Sequence, residues 1–245
     1  AYMVGCVGEA FGEELKQTLK GYGVDVEYVE KLTGVSSGIA VIVVVDGDNR
    51  IILDAGANGQ VREELIDRAL ESATAGDYLI CQLEISQEIV RYALAKAKEK
   101  GLVTVLNPAP AAKLLPGILE NCDYFMPNQS EAEFYTGIYP KDEESAQRCA
   151  QALAAKGVGN VVVTMGSEGS AYVGKDGYFK ADCFKAEAVD TTAAGDTYVG
   201  AFVTGLSEGM SVREAMIFAS KASAITVTRR GAQQSIPVRA EVDAR

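Results

Sequence analysis

The segment Asp190-Thr191-Thr192-Ala193-Ala194-Gly195-Asp196-Thr197 places small residues and a carboxylate directly before a helix-forming run, Tyr198–Leu206. Short side chains would leave the first backbone N–H groups of that helix uncovered. Those of Ala193, Ala194 and Gly195 would point out of its N-terminus, where the helix dipole also favours an anion. Gly195 would let the backbone turn sharply into the helix. Asp196, at the same mouth, would repel a resting anion. It becomes useful if it takes a proton from an attacking hydroxyl while the N–H groups hold a transferring phosphoryl. The same residues also fit a plain helix start with the aspartate as capping residue, and spacing alone does not choose between the two.

Other chemistries fall away. There is no histidine among the 245 residues, so Ser-His-Asp and Cys-His catalysis and His-bearing metal sites are excluded. Gly34-Val35-Ser36-Ser37-Gly38 has the spacing of a hydrolase elbow, but the β-branched run Ile39–Val45 follows it instead of a helix. Gly157-Val158-Gly159 precedes a strand and lacks a third glycine, and Gly174-Lys175 runs into Asp176, so neither is a nucleotide loop. Cys6, Cys81, Cys122, Cys149 and Cys183 are odd in number with no C-x-x-C pair; buried, reduced thiols in a cytoplasmic protein are expected. A net charge of −11 gives no basic excess with which to displace counterions from nucleic acid. No apolar run reaches the about 18–20 residues of a membrane span, and the first residues lack a signal-peptide pattern.

The elements that would position Asp196 alternate along the chain. Strands are expected at Tyr2–Val7, Tyr78–Leu83, Leu102–Leu106, Tyr124–Met126 and Asn160–Met165, and helices at Glu13–Tyr22, Val61–Ser72, Gln87–Lys100, from near Asn128, and at Glu143–Lys156. Ala171–Val173 and Tyr178–Lys180 should pair around Lys175-Asp176-Gly177, and helices near Gly195–Ser207 and Val212–Thr226 close the chain. Strands separated by single helices imply a parallel sheet covered on both faces. Three β-rich runs, Val26–Leu32, Ile39–Asp46 and Arg50–Asp54, break the pattern, and Asp46-Gly47-Asp48-Asn49 has hairpin-turn composition. They suggest a small β lid at residues 26–54 within a single α/β domain spanning 1–245.

With these residues in view, the sequence resembles the ribokinase branch of the PfkB carbohydrate-kinase family. The 190–196 segment matches its D-T-x-A-A-G-D signature. Further matches follow in order: Ala55-Gly56-Ala57-Asn58, Gln82-Leu83-Glu84, Asn107-Pro108-Ala109-Pro110-Ala111, Pro127-Asn128-Gln129-Ser130-Glu131, Thr164-Met165-Gly166-Ser167-Glu168-Gly169 and Thr228-Arg229-Arg230-Gly231-Ala232-Gln233. The resemblance implies a three-layer α/β/α fold with a central, mostly parallel sheet. It implies an ATP-dependent sugar kinase, acting on D-ribose at the 5-hydroxyl or, alternatively, on deoxyribose, fructose or a nucleoside.

The resemblance also implies roles. Asp196 would be the base, and Ala193, Ala194 and Gly195 the anion hole for the γ-phosphoryl. Glu84 would contact the sugar. Asn128 and Glu131 would organise Mg²⁺ and phosphate through water; their plain reading is a capping box at a helix start, and both can hold. Thr164, Met165, Gly166, Ser167, Glu168 and Gly169 would line ATP, with Ser220 on the adenine side. K⁺ would sit against Asp190, Thr192, Thr226, Arg229, Gly231 and Ser235, mostly on carbonyls, though Arg229 and Arg230 also fit solvated surface charges. A homodimer paired through the lid is expected.

The chain departs from the family at its front. Relatives carry a G-x-x-N-x-D segment and a later G-G-x-x-x-N segment on the sugar site, and these residues contain no Gly-Gly pair. The turn Gly8–Gly12 is about one residue short of the family pattern. The expectation is therefore a segment ahead of Ala1 carrying half the sugar's polar contacts. If the 245 residues were everything, a non-catalytic fragment or pseudoenzyme would be expected, because phosphoryl transfer depends on positioning.

Overall fold

Apolar residues on the central strands alternate between two faces, and that alternation builds the layers. On β8 (Asn160–Thr164), Val161 and Val163 join one core while Val162 joins the other. β6 (Val103–Leu106) and β7 (Tyr124–Phe125) do the same through Leu106 against Val105, and Phe125 against Tyr124. The computed structural model describes residues 1–45 and 48–245.

In chain order the elements are β1 (Gly5–Val7), α1 (Gly12–Gly21), β2 (Val29–Lys31), β3 (Ile39–Val45), β4 (Asp48–Asp54), α2 (Glu63–Glu71), β5 (Tyr78–Cys81) and α3 (Gln87–Glu99). After β6 and β7 come α4 (Gln129–Thr136), α5 (Glu143–Ala154), β8, β9 (Ser170–Gly174), β10 (Gly177–Ala181), α6 (Ala194–Ser207), α7 (Val212–Thr226) and α8 (Arg239–Asp243). A six-stranded sheet runs β10-β9-β8-β7-β6-β5. β5 to β8 are parallel, and β9 and β10 are antiparallel at one edge. Side chains from α2, α3, α4 and α5 pack on one face, and α6 and α7 cover the other. This is the expected three-layer α/β/α fold, with a sheet that is mixed at one edge.

The stretch 26–54 divides. β2 pairs in parallel with β1, so the first of the three β-rich runs lies outside the hairpin. The reason is burial: Val26 and Val29 pack with Val7 and Leu19 beneath α1. β3 and β4 form an antiparallel hairpin in register from Ile39↔Asp54 to Val45↔Asp48. The turn expected at Asp46–Gly47 falls outside the described residues. Tyr2 and Met3, read from sequence as buried strand, are exposed; Tyr2 makes only an isolated bridge to Asp25.

All five cysteines are free, four of them buried. Burial pushes the Cys81 thiol up to about 12. No helix among the described residues is long and apolar enough to cross a membrane.

Candidate active site

The loop into α6 adopts an uncommon conformation. Ala193, the residue before the helix, is left-handed at φ 59, ψ 9 and caps nothing with its side chain. A non-glycine residue held there costs about 1–2 kcal/mol, and such strain persists where surrounding contacts enforce it, often at functional sites. The sharp turn expected of Gly195 is thus made by Ala193. Gly195 has no positive φ, and a Cβ built on it would meet nothing within 4 Å. It faces open space.

The donors are also redistributed. Ala194 N–H is engaged with the Thr191 carbonyl at 3.2 Å, while those of Ala193, Gly195 and Asp196 have no acceptor among the described residues. The available set is therefore Ala193, Gly195 and Asp196, where sequence pointed to Ala193, Ala194 and Gly195. Asp196 does not cap the helix. Its carboxylate opens to solvent on one side, yet neighbouring atoms exclude enough water to raise its pKa. An uncapped carboxylate held beside free N–H donors matches the proton-accepting arrangement better than the plain cap.

Glu84 and Glu131 approach from other elements. Glu84 follows β5, and its pKa is raised by loss of water and then by the charge of Asp196. Glu131, only 6% exposed, stands in the first turn of α4 and is raised by burial, with Asp196 contributing. The negative charge of Asp196 thus adds to burial in raising the other two. Glu84 after β5 and Glu131 at the start of α4 both lie within reach of the Asp196 charge, at the C-terminal end of the parallel strands, where open α/β sheets bind ligands.

Asn128 and Glu131 form a closed ring. Asn128 N–H donates to Glu131 Oε2 and Asn128 Nδ2 to Oε1, while Glu131 N–H donates to Asn128 Oδ1, all at 2.9 Å. The capping box is therefore present. Both Glu131 oxygens already accept hydrogen bonds, which suits contact with a metal ion through water. Among the described residues no three acidic or cysteine side chains cluster to hold a metal ion directly. Asn128 bridges Thr164 at the end of β8, which brings the segment 164–169 beside the ring. There Gly169 is obligatory: it has φ +85, and a Cβ would lie 2.1 Å from the Ala181 carbonyl oxygen.

The residues around Asp190 form a second knot. Asp190 accepts from Thr192 N–H and from Gly231 N–H, each at 2.9 Å. These bonds, with Gly231 first, hold its carboxyl down at about 2. Val189 and Asp190 both donate to the Val227 carbonyl, so the loops 189–192 and 227–231 lie together. The carbonyls of Asp190, Thr192, Arg229 and Gly231 accept no hydrogen bond among the described residues, whereas that of Thr226 accepts from Arg229 N–H. Ser235 is buried and donates to the Ala232 carbonyl. Arg229 is no free surface charge: its guanidinium pairs with Glu241 of α8.

α7 braces the site in a way the sequence reading missed. Ser220, 5% exposed, donates to the Asp182 carbonyl. Ser223 donates to the Ala194 carbonyl at 2.9 Å, and Thr226 to Thr197 Oγ1 at 3.1 Å. The signal was present as hydroxyls at i, i+3 and i+6, one face of a helix. Ser220 thus ties α7 to Asp182, just after β10.

The family model described as pfkB family carbohydrate kinase matches residues 1–239. A ribokinase of Schizosaccharomyces pombe is 40% identical over 247 residues, covering 98% of this chain and 78% of the relative. Among solved structures, a Thermotoga maritima ribokinase superposes with a TM-score of 0.86 at 36% identity, over 100% of this chain and 80% of the other. An Arabidopsis thaliana ribokinase complexed with ribose and ATP gives 0.89 at 29%, over 99% and 80%. The chain belongs to the pfkB family of carbohydrate kinases.

Proposed function

We propose that the protein phosphorylates D-ribose at the 5-hydroxyl with ATP, giving D-ribose 5-phosphate and ADP. The observation that carries this is Asp196, uncapped beside the free N–H groups of Gly195 and its own backbone. Asp196 takes the proton of the sugar hydroxyl as its oxygen bonds to the γ-phosphorus. The N–H groups of Ala193, Gly195 and Asp196 stabilise charge on the transferring phosphoryl as its bond to the ADP oxygen breaks. Glu84 holds sugar hydroxyls, and the segment 164–169 lines the nucleotide, with Ser220 supporting its adenine side from behind.

Mg²⁺, when bound with ATP, would neutralise phosphate charge. Asn128 and Glu131 would orient its waters, since both Glu131 oxygens are occupied by Asn128. The unengaged carbonyls of Asp190, Thr192, Arg229 and Gly231 suit K⁺, a hard cation that takes oxygen donors; Thr226 and Ser235 flank them. K⁺ there would act on the loop that shapes the anion hole. On the β3–β4 hairpin, Ile39, Val41 and Ile52 share one face and are exposed, which supports a homodimer paired through it. Five free thiols accord with a cytoplasmic location.

The test is ADP release by the purified protein over a panel of sugars. Ribose-dependent release is expected; turnover of deoxyribose, fructose or a nucleoside in its absence would reassign the substrate. Asp196→Asn should remove turnover and leave nucleotide binding largely intact, and a near-wild-type rate would remove Asp196 as the base.

A further inference from the structure

We propose that Asn107 is a positioning residue that completes the sheet where proline has removed a backbone donor, and so fixes the Asn128–Glu131 ring against the end of β6. This rests on the kinase reading for its effect on activity, but its structural basis is independent of it.

β6 and β7 pair in parallel with Leu106 opposite Phe125. Met126 N–H then donates to the Leu106 carbonyl at 2.8 Å, which puts Met126 opposite Asn107. In a parallel ladder the Met126 carbonyl should next accept from the residue after Asn107. That residue is Pro108, which has no N–H. Instead, Asn107 Nδ2 donates to the Met126 carbonyl at 2.9 Å. The side-chain amide of Asn107 replaces the missing rung.

Asn107 is fixed on its other side too. Its own N–H donates to the Cys81 carbonyl of β5 at 3.0 Å, and Leu83 N–H donates to the Ala109 carbonyl at 2.9 Å. The residue therefore ties together the ends of β5, β6 and β7. From β5 the chain runs into Glu84; from β7 it runs through Pro127 into Asn128. Glu84 keeps its own tether through Ala109. On the β6 side, the Asn107 amide is what holds the Met126–Asn128 segment beyond the Met126 N–H, while Thr164 N–H holds the Pro127 carbonyl from β8, so losing the amide should disturb the metal-organising ring more than the sugar contact.

Three variants test this: Asn107→Asp, Asn107→Ala, and Asn107→Ala combined with Pro108→Ala. The aspartate keeps the volume but sets an acceptor against the Met126 carbonyl, and the double variant restores a backbone donor at the register position. In hydrogen exchange of the segment 124–131, without ligand, both single variants should exchange about tenfold faster than wild type, the size of one net hydrogen bond. The double variant should return towards wild type. In turnover assays the single variants should need more Mg²⁺ for half-maximal rate with the KM for sugar unchanged, and the double variant should recover. Unchanged exchange in Asn107→Ala, or no recovery in a folded double variant, would overturn the proposal. So would a raised sugar KM with an unchanged Mg²⁺ requirement. If wild type turns over no sugar, the kinase reading fails and exchange alone decides this one.

Discussion

Gly195→Ala separates the demands of the fold from those of catalysis. Gly195 is the second residue of α6, has no positive φ, and faces open space where a Cβ would touch nothing within 4 Å. For the fold, alanine at a helical position is better than glycine by about 0.5–1 kcal/mol. For a chain of this size that raises Tm by about 1–4 °C. For the reaction, the open space is where a phosphoryl oxygen would approach. A donor must lie about 2.7–3.1 Å from that oxygen, whereas a methyl carbon holds other atoms at about 3.5 Å or more. Losing one such donor costs about 100–1,000-fold in kcat, or about 2.7–4 kcal/mol of barrier. The expected variant is slightly more stable and at least about 100-fold slower. Calorimetry and coupled ADP release on the same preparation read both signs. A stable variant with near-wild-type kcat would refute an anion hole at this helix end; a destabilised one would refute the reading of the space as empty.

Glu131→Gln should destabilise by about 0.5–1.5 kcal/mol, because an amide has one acceptor oxygen and sets its NH2 against one of the two Asn128 donors, so one hydrogen bond of the ring is lost; wild-type stability in urea would count against the closed ring. Burial raises Asp196 above its ordinary 3.8 in the free chain, so the acid limb of kcat/KM against pH should lie above the usual aspartate range, and a limb at or below 3.8 would contradict it. Glu84, Glu131 and Asp196 are all raised in the folded chain. Their contribution to stability is therefore greatest below ordinary carboxylate pKa values and is lost as pH rises through the folded ones. Asp196→Asn should let Glu84 and Glu131 ionise at lower pH, read by carbon NMR of the carboxyls, and no movement would place Asp196 away from them. Val41→Asp with Ile52→Asp should give a monomer in analytical ultracentrifugation; a persisting dimer would move the interface off the hairpin.

Periodicity and punctuation carried most of the fold. The helices at 87–100 and 212–226 and the strand at 160–165 were legible because apolar spacing and caps agree with their final environment. Pairing was less legible: the run at Val26–Leu32 is apolar enough for a strand but does not name its partner, and burial beneath α1 decided it. At the site, the chemistry of 190–197 was visible as residue types, but which residue makes the turn was not. Glycine is the default for a left-handed residue, and only three-dimensional packing shows that Ala193 takes it. Ser223 escaped notice because a serine on an amphipathic helix looks like surface. The role of Asn107 was, in principle, written in the sequence, since a strand ending Asn-Pro lacks a donor where its neighbour needs one.

Most rungs of the central sheet run from backbone to backbone, and most substitutions leave such a bond in place; side chains serve at both ends of β6, where Asp123 Oδ2 accepts from Thr104 N–H and the Asn107 amide donates to the Met126 carbonyl. The rung at the Asn107 end of β6 is encoded in a side chain and so is open to mutation by itself. Selection can therefore tighten or loosen one corner of the site with a single codon, while the strands that hold the fold keep their bonds. The proline that removed the backbone donor turned a fixed part of the scaffold into an adjustable one.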